Sequence, residues 1–161
     1  FTVFLTRIRD MPNRKKKTER RVHKRFSAKD KTFAVLRADR SSLDQIKQMS
    51  MGEIACAVYN SKPAIMGQIV DMSQGGLSFD CIDENSPCKQ SLKLDILSAN
   101  EKFYMGRIKF KPVHELKSAD NSSISPIQMK KRGVQFVDLT FKQIARLERF
   151  LRKHTDGEVS A

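Results

Sequence analysis

The sequence has no tryptophan, only Tyr59 and Tyr104 as tyrosines, and three cysteines among 161 residues. With so few large flat side chains, it lacks the interleaved surface aromatics that stack single-stranded bases. Cys56, Cys81 and Cys88 are odd in number and form no CxxC pair. They fit neither a disulfide framework nor a zinc site, and read as idle or buried thiols in a reducing compartment. His23, His114 and His154 are scattered, which removes the usual metal clusters, and His23 reads as a surface residue. No apolar run approaches the roughly 20 residues needed to span a bilayer. "FTVFL" at residues 1–5, followed by Arg7 and Arg9, is too short for a complete signal peptide. It reads as a leftover segment or a stray strand. No nucleophile–base pair, carboxylate dyad or P-loop is present, so no catalytic residue is assigned and an enzyme is not expected.

Acidic residues are also scarce, and the shortage is uneven. The formal net charge is +13. Residues 1–37 carry 13 Lys and Arg against Asp10, Glu19 and Asp30, whereas the other 124 carry 18 basic and 15 acidic side chains. The body of the protein is nearly balanced and its N-terminal segment is strongly basic. "RKKKTERRVHKR" alone has eight cations and no apolar periodicity. Such a run suits an anionic partner such as a nucleotide, nucleic acid or lipid.

Residues 1–31 read as weakly structured, and short β-type runs begin after them. "TFAVL", "EIACAVYN", "PAIMGQIV", "GLSFDCI", "SLKLDIL", "FYMGRIKFKPV" and "GVQFVDL" are the strand candidates. In several of them apolar and polar residues alternate with the period of a half-buried strand. Leu94 and Ile96, Ile108 and Phe110, and Val134 and Phe136 are the expected inward pairs. "SSLDQIKQMSMG" reads as one amphipathic turn and "HELKSADNSSISPIQMKK" as a long polar loop. The period then changes to 3.6. Thr140 and Gln143 have capping-box spacing, and Ile144, Leu147 and Leu151 form one stripe with Phe150 beside it. The helix should end near His154, with "TDGEVSA" as a frayed tail. Six or seven short antiparallel strands in so small a chain favour closure into a barrel, flanked by the helix.

Two polar stretches carry chemistry. In "ERRVHKRF", Arg25 lies four positions after Arg21, so both guanidinium groups can converge on one anion. Their rigid forks suit phosphate and the Hoogsteen edge of guanine. In "IVDMSQGGLSF" a strand is interrupted by Asp71, Ser73, Gly75 and Gly76. Residues two apart in an extended segment share a side, so a carboxylate and a hydroxyl should point together. The carboxylate can accept from guanine N1–H and N2–H. The glycines let a flat ring approach the backbone. Taken alone, Asp71 and Ser73 also fit an Asx or Ser turn.

"RRVHKR" followed by "DMSQGG" resembles the PilZ family of bacterial cyclic di-GMP receptors, whose signature is RxxxR and then (D/N)xSxxG. Arg21 and Arg25 match the first motif; Asp71, Ser73 and Gly76 match the second. "RGVQFVDLTFKQIARLERFL" resembles the family's last strand and terminal helix. The resemblance implies a mainly β fold, a six-stranded antiparallel barrel with a C-terminal α-helix. Residues 1–18 would be a basic arm or linker, 19–154 the PilZ-like domain, and 155–161 a tail. It also implies cyclic di-GMP (c-di-GMP) as ligand and no cofactor. The site would comprise Arg20, Arg21, Arg25, Asp71, Ser73, Gly75 and Gly76, with the arginine loop closing over the nucleotide. An arginine at position 20 goes, in that family, with a stacked pair of ligands, two per chain. The gap between Arg25 and Asp71 is longer than the family's, and "RADRSSLDQIKQMSMG" looks like the insertion. The expected role is second-messenger signal transduction in the cytoplasm, read out by a protein partner or an attached domain. A PilZ-like interaction module that binds no nucleotide, and a basic nucleic-acid-binding barrel, are the alternatives. Nucleic acid is disfavoured, being supported by charge alone.

Overall fold

A computed structural model describes residues 22–38, 50–60, 62–82, 87–89, 91–117 and 128–159. Eight strands and two helices follow in chain order. They are β1 (Phe26–Ala28), β2 (Thr32–Arg37), α1 (Met51–Asn60), β3 (Ile65–Met72), β4 (Gly76–Ile82) and β5 (Lys93–Ser98), then β6 (Phe103–Lys117), β7 (Met129–Val137), α2 (Phe141–Lys153) and β8 (Thr155–Glu158). All pairings are antiparallel. The order β2-β5-β6-β7-β4-β3 closes through a β2–β3 pairing into a six-stranded barrel.

The expected inward pairs are in place. Leu94, Ile96, Ile108, Phe110, Val134 and Phe136 all belong to one core with Leu36, Ile69, Met72, Leu77 and Phe79. Leu147, Phe150 and Leu151 of α2 join that core, with the Phe150 ring centroid 4.3 Å from that of Phe103. The capping box at Thr140 and Gln143 is present on both sides. Ile144, read as part of the stripe, is 36% exposed, and Phe150 takes the buried place instead.

Three expectations need correction. "EIACAVYN" is helix, not strand. Ser50 and Glu53 form a capping box: the Glu53 N–H donates to Ser50 Oγ (3.3 Å) and the Ser50 N–H to Glu53 Oε2 (3.0 Å). Ile54 and Val58, four apart, then bury one face on Val35, Leu97 and Tyr104 outside the barrel. Burying two such side chains contributes roughly 1.5–3 kcal/mol each, enough to outweigh their β propensity. The polar loop starts later and ends earlier than its composition suggests, because His114–Lys117 extend β6 and Met129–Lys131 begin β7. The frayed tail is in part a strand, since β8 pairs with β1 through Phe26↔Glu158 and Ala28↔Thr155. The amphipathic turn expected at residues 41–49 lies outside the described residues. α1, which follows it, packs on β2 and β5.

Candidate functional site

The interruption in "IVDMSQGGLSF" begins as a β-bulge. The register against β4 shifts between Ile69 and Asp71, which leaves Val70 as the extra residue. Ile69 and Met72, three apart, can therefore both be buried, while Asp71 stays partly exposed between them. The chain then turns back on itself. The Ser73 N–H donates to the Gly76 carbonyl (2.8 Å), and the Gly75 N–H donates to Ser73 Oγ (3.1 Å). The Ser73 hydroxyl is thus spent inside a Ser-type turn and is 4% exposed. Asp71 and Ser73 do not present a joint carboxylate–hydroxyl face; the bulge and the turn separate their tasks. Gly76 is required by closeness to β7, because a Cβ there would lie 2.2 Å from the Val134 carbonyl oxygen.

The arginine segment reaches this turn through β1. Ser27 pairs with Asp71 and Phe26 with Met72, so the residue just before β1 is delivered to the Asp71 side chain. Arg25 Nη1 donates to Asp71 Oδ1, joining the two motifs across 46 residues. The side chains are 23% and 19% exposed. One guanidinium carries five N–H donors, so this bond leaves most of the fork for another acceptor. β8 holds the segment from its other side. The Val159 N–H donates to the Arg25 carbonyl (2.8 Å), and Lys24 Nζ lies 3.8 Å from Glu158 Oε2. Arg20 and Arg21 lie outside the described residues.

Beside the turn is a cleft of about 490 Å³. It is lined by Val22, His23 and Arg25 of the arginine segment, by Ser73–Gly76 of the turn, and by Val113, His114, Gly133–Phe136 and Leu139 from β6, β7 and the chain that follows. Gln74 Nε2 donates to Glu148 Oε1 of α2 (3.4 Å). Of the seven candidate residues, the fold places Arg25, Ser73, Gly75 and Gly76 on this cleft, with Asp71 bonded to Arg25 at its edge. His114, Gln135 and β8 escaped the sequence reading. Gly133 within β7 was the available signal, since glycine in a strand interior often marks a close approach.

A second arginine–aspartate pair lies under α1. Arg37 Nε donates to Asp95 Oδ2 (2.5 Å), and both side chains are essentially inaccessible. The Tyr104 hydroxyl donates to the same oxygen (2.7 Å), and the Arg107 N–H donates to Oδ1 (3.0 Å). Arg107 adopts φ of 59° at a bulge between β5 and β6, which aims that N–H inward. Burial, then the Asp95 charge, pushes the Tyr104 phenol well above its ordinary range and keeps it a neutral donor. Burial works against the Arg37 charge, yet the hydrogen bond and charge of Asp95 hold its guanidinium above the ordinary value. With the Arg37 and Asp95 side chains both buried, this network is a strut.

No protein-family model and no curated protein matches the sequence. Among solved structures, the fold is similar to the PilZ domain with c-di-GMP of YcgR from Escherichia coli. The identity is 10%, the TM-score 0.54, and the match covers 84% of this chain and 92% of that one. The fold is PilZ-like. The closed barrel and the terminal helix place the two motif-bearing segments of this PilZ-like domain side by side. No helix among the described residues is long and apolar enough to cross a membrane.

Proposed function

We propose that the chain is a c-di-GMP-binding regulatory domain, a bacterial, cytoplasmic second-messenger receptor without catalysis. The observation that carries this reading is the meeting of Arg25 and Asp71 beside the Ser73–Gly76 turn, at the edge of a cleft of about 490 Å³. That volume falls within the roughly 300–1,000 Å³ of small-molecule sites. In the proposed complex, Asp71 accepts from guanine N1–H and N2–H. Arg25 and Arg21 take the Hoogsteen edge and phosphates. Gly75 and Gly76 let the ring approach, and Ser73 holds the turn that presents them. Arg25 neutralises Asp71 until guanine supplies the donors, so ligand entry exchanges one ion pair for charge-assisted hydrogen bonds. The basic arm closes over the nucleotide, and the ordered surface is read by a protein partner or an attached domain. Arg20, next to Arg21 and facing the other way in an extended segment, takes a second, stacked ligand. Similarity in fold to the YcgR domain supports the reading.

Calorimetric titration with c-di-GMP, GTP and a DNA oligonucleotide tests it. Saturable binding of c-di-GMP, tighter than either control and at two ligands per chain, is expected. Arg20→Leu should lower the stoichiometry toward one. Equal competition by DNA, with binding that collapses in modest salt, would instead mark a charge-driven nucleic-acid surface.

A further inference from the structure

The cleft holds two rings that neither motif uses. His23 stands within the arginine segment, and its imidazole covers Gly75: a Cβ at that glycine would lie 2.8 Å from the ring. His114 stands on β6, and its imidazole fills the place a side chain at Gly133 would take, with Cε1 2.1 Å from such a Cβ. Both histidines are exposed, and both line the cleft. Each ring is thus seated over a glycine. Beside them Val22 is 90% exposed and Val113 60% exposed, so each histidine has an apolar neighbour in sequence presented to water.

We infer that His23 and His114 are ligand-contacting residues that offer their ring faces to the nucleobases, with Val22 and Val113 as apolar borders. The inference rests on the nucleotide reading above and adds the groups that grip the base face, where Asp71 and the arginines grip its edge and phosphates. Aromatic side chains stack on bases with little regard to sequence, because every base has a π-face. A glycine beneath each ring fixes its position without competing side-chain bulk.

The test is calorimetric titration of c-di-GMP into the unmodified protein and into H23A, H114A, H23F and H114F, each checked by thermal melting. The alanine variants should each lose about tenfold in affinity, on the scale of one lost stacking contact. The phenylalanine variants, which keep a ring, should bind within about threefold of the unmodified protein. Because both histidines are exposed, melting temperatures should be unchanged. Unaltered affinity in both alanine variants, with the unmodified protein binding, overturns this inference and leaves the proposed function standing. An equal loss in the alanine and phenylalanine variants also overturns it, since imidazole hydrogen bonding rather than stacking would then be responsible. Absence of binding by the unmodified protein overturns the proposed function and this inference together.

Discussion

Two arginine–aspartate pairs join distant parts of this chain, and they differ mainly in their access to water. Arg37–Asp95 is about 1% exposed at one side chain and not at all at the other. Arg25–Asp71 is about a fifth exposed at each. In the first pair Asp95 also accepts from Tyr104 and from the Arg107 backbone, so its oxygens are committed to the fold. In the second pair Arg25 lines a cleft, just before β1 and opposite β8, two short strands. The same two residue types therefore make a strut where they are enclosed and a replaceable contact where they are open. A buried charge that loses its partner cannot be rehydrated, whereas an exposed one exchanges its partner for water or ligand at little cost.

Breaking the strut should give the largest effect. Asp95→Ala leaves a buried guanidinium, a tyrosine hydroxyl and an N–H without their acceptor. The expected destabilisation is about 3–5 kcal/mol, measured by urea denaturation. A loss under about 1 kcal/mol would mean that water reaches the pair and that the contrast with Arg25–Asp71 is one of degree.

Asp71→Ala should do the reverse. Stability should change by about 0–1 kcal/mol, as for an exposed pair. Affinity for c-di-GMP should fall about tenfold or more, since a hydrogen bond to a charged group contributes roughly 1.5–3 kcal/mol. Titration and melting of the same sample separate the two. Unchanged affinity would reduce Asp71 to an anchor for Arg25.

The contrast explains what the sequence made legible. Alternation identified strands such as β6, where Ile108 and Phe110 are buried between exposed Arg107, Lys109 and Lys111, which leaves a period of two in the residues themselves. Arg25 and Asp71 were legible as candidate site residues because their motifs are local, but their bond to each other was not. Arg37 and Asp95 were not, since no local pattern marks two residues that meet across β2 and β5. α1 was taken for a strand because Ile, Val and Tyr favour β structure. The Ser50–Glu53 capping box and the four-residue spacing of Ile54 and Val58 were the contrary signals. β8 has the polar sequence "TDGE", and only pairing with β1 makes it a strand. His114 gains its meaning from Gly133 across the ladder, a relation fixed by register rather than by sequence distance.

β8 offers a way to weaken the open site without touching its side chains. Its backbone flanks β1, and the N–H of Val159, the next residue, bonds the Arg25 carbonyl. Deleting residues 155–161 should leave the barrel intact but free the arginine segment. A severalfold loss of c-di-GMP affinity is expected, with faster amide exchange at Phe26–Ala28 and unchanged exchange in β4 and β7. Unchanged exchange at Phe26–Ala28 would show that pairing with β3 alone holds Arg25 beside Asp71.

The smallest effect belongs to a third ion pair, whose surroundings are wetter still. Glu101 accepts from Lys29 Nζ (3.2 Å), and His154 Nδ1 lies 2.5 Å from its other oxygen. The cluster ties the turn after β5 to the end of β1 and to the C-cap of α2. The hydrogen bond from Lys29, opposed by partial burial and helped by the charges of Lys29 and His154, holds the Glu101 carboxyl below the usual carboxylate range. A carboxyl lowered in the folded state binds protons more readily when unfolded, so its contribution is complete above the ordinary carboxylate value. That contribution disappears as pH falls through the lowered folded value. Glu101→Gln should therefore be less stable than the unmodified protein near neutral pH, and the two should converge on acidification. Because the cluster is open to solvent, the difference should also shrink at about 1 M salt, where the screening length falls to about 3 Å. The deficit of Asp95→Ala should persist at that salt concentration, since ions do not reach its partner. Denaturation curves for both variants across pH and salt would measure this. A Glu101→Gln deficit that stays constant on acidification and in salt would assign the residue a packing role, and exposure would no longer rank the three pairs.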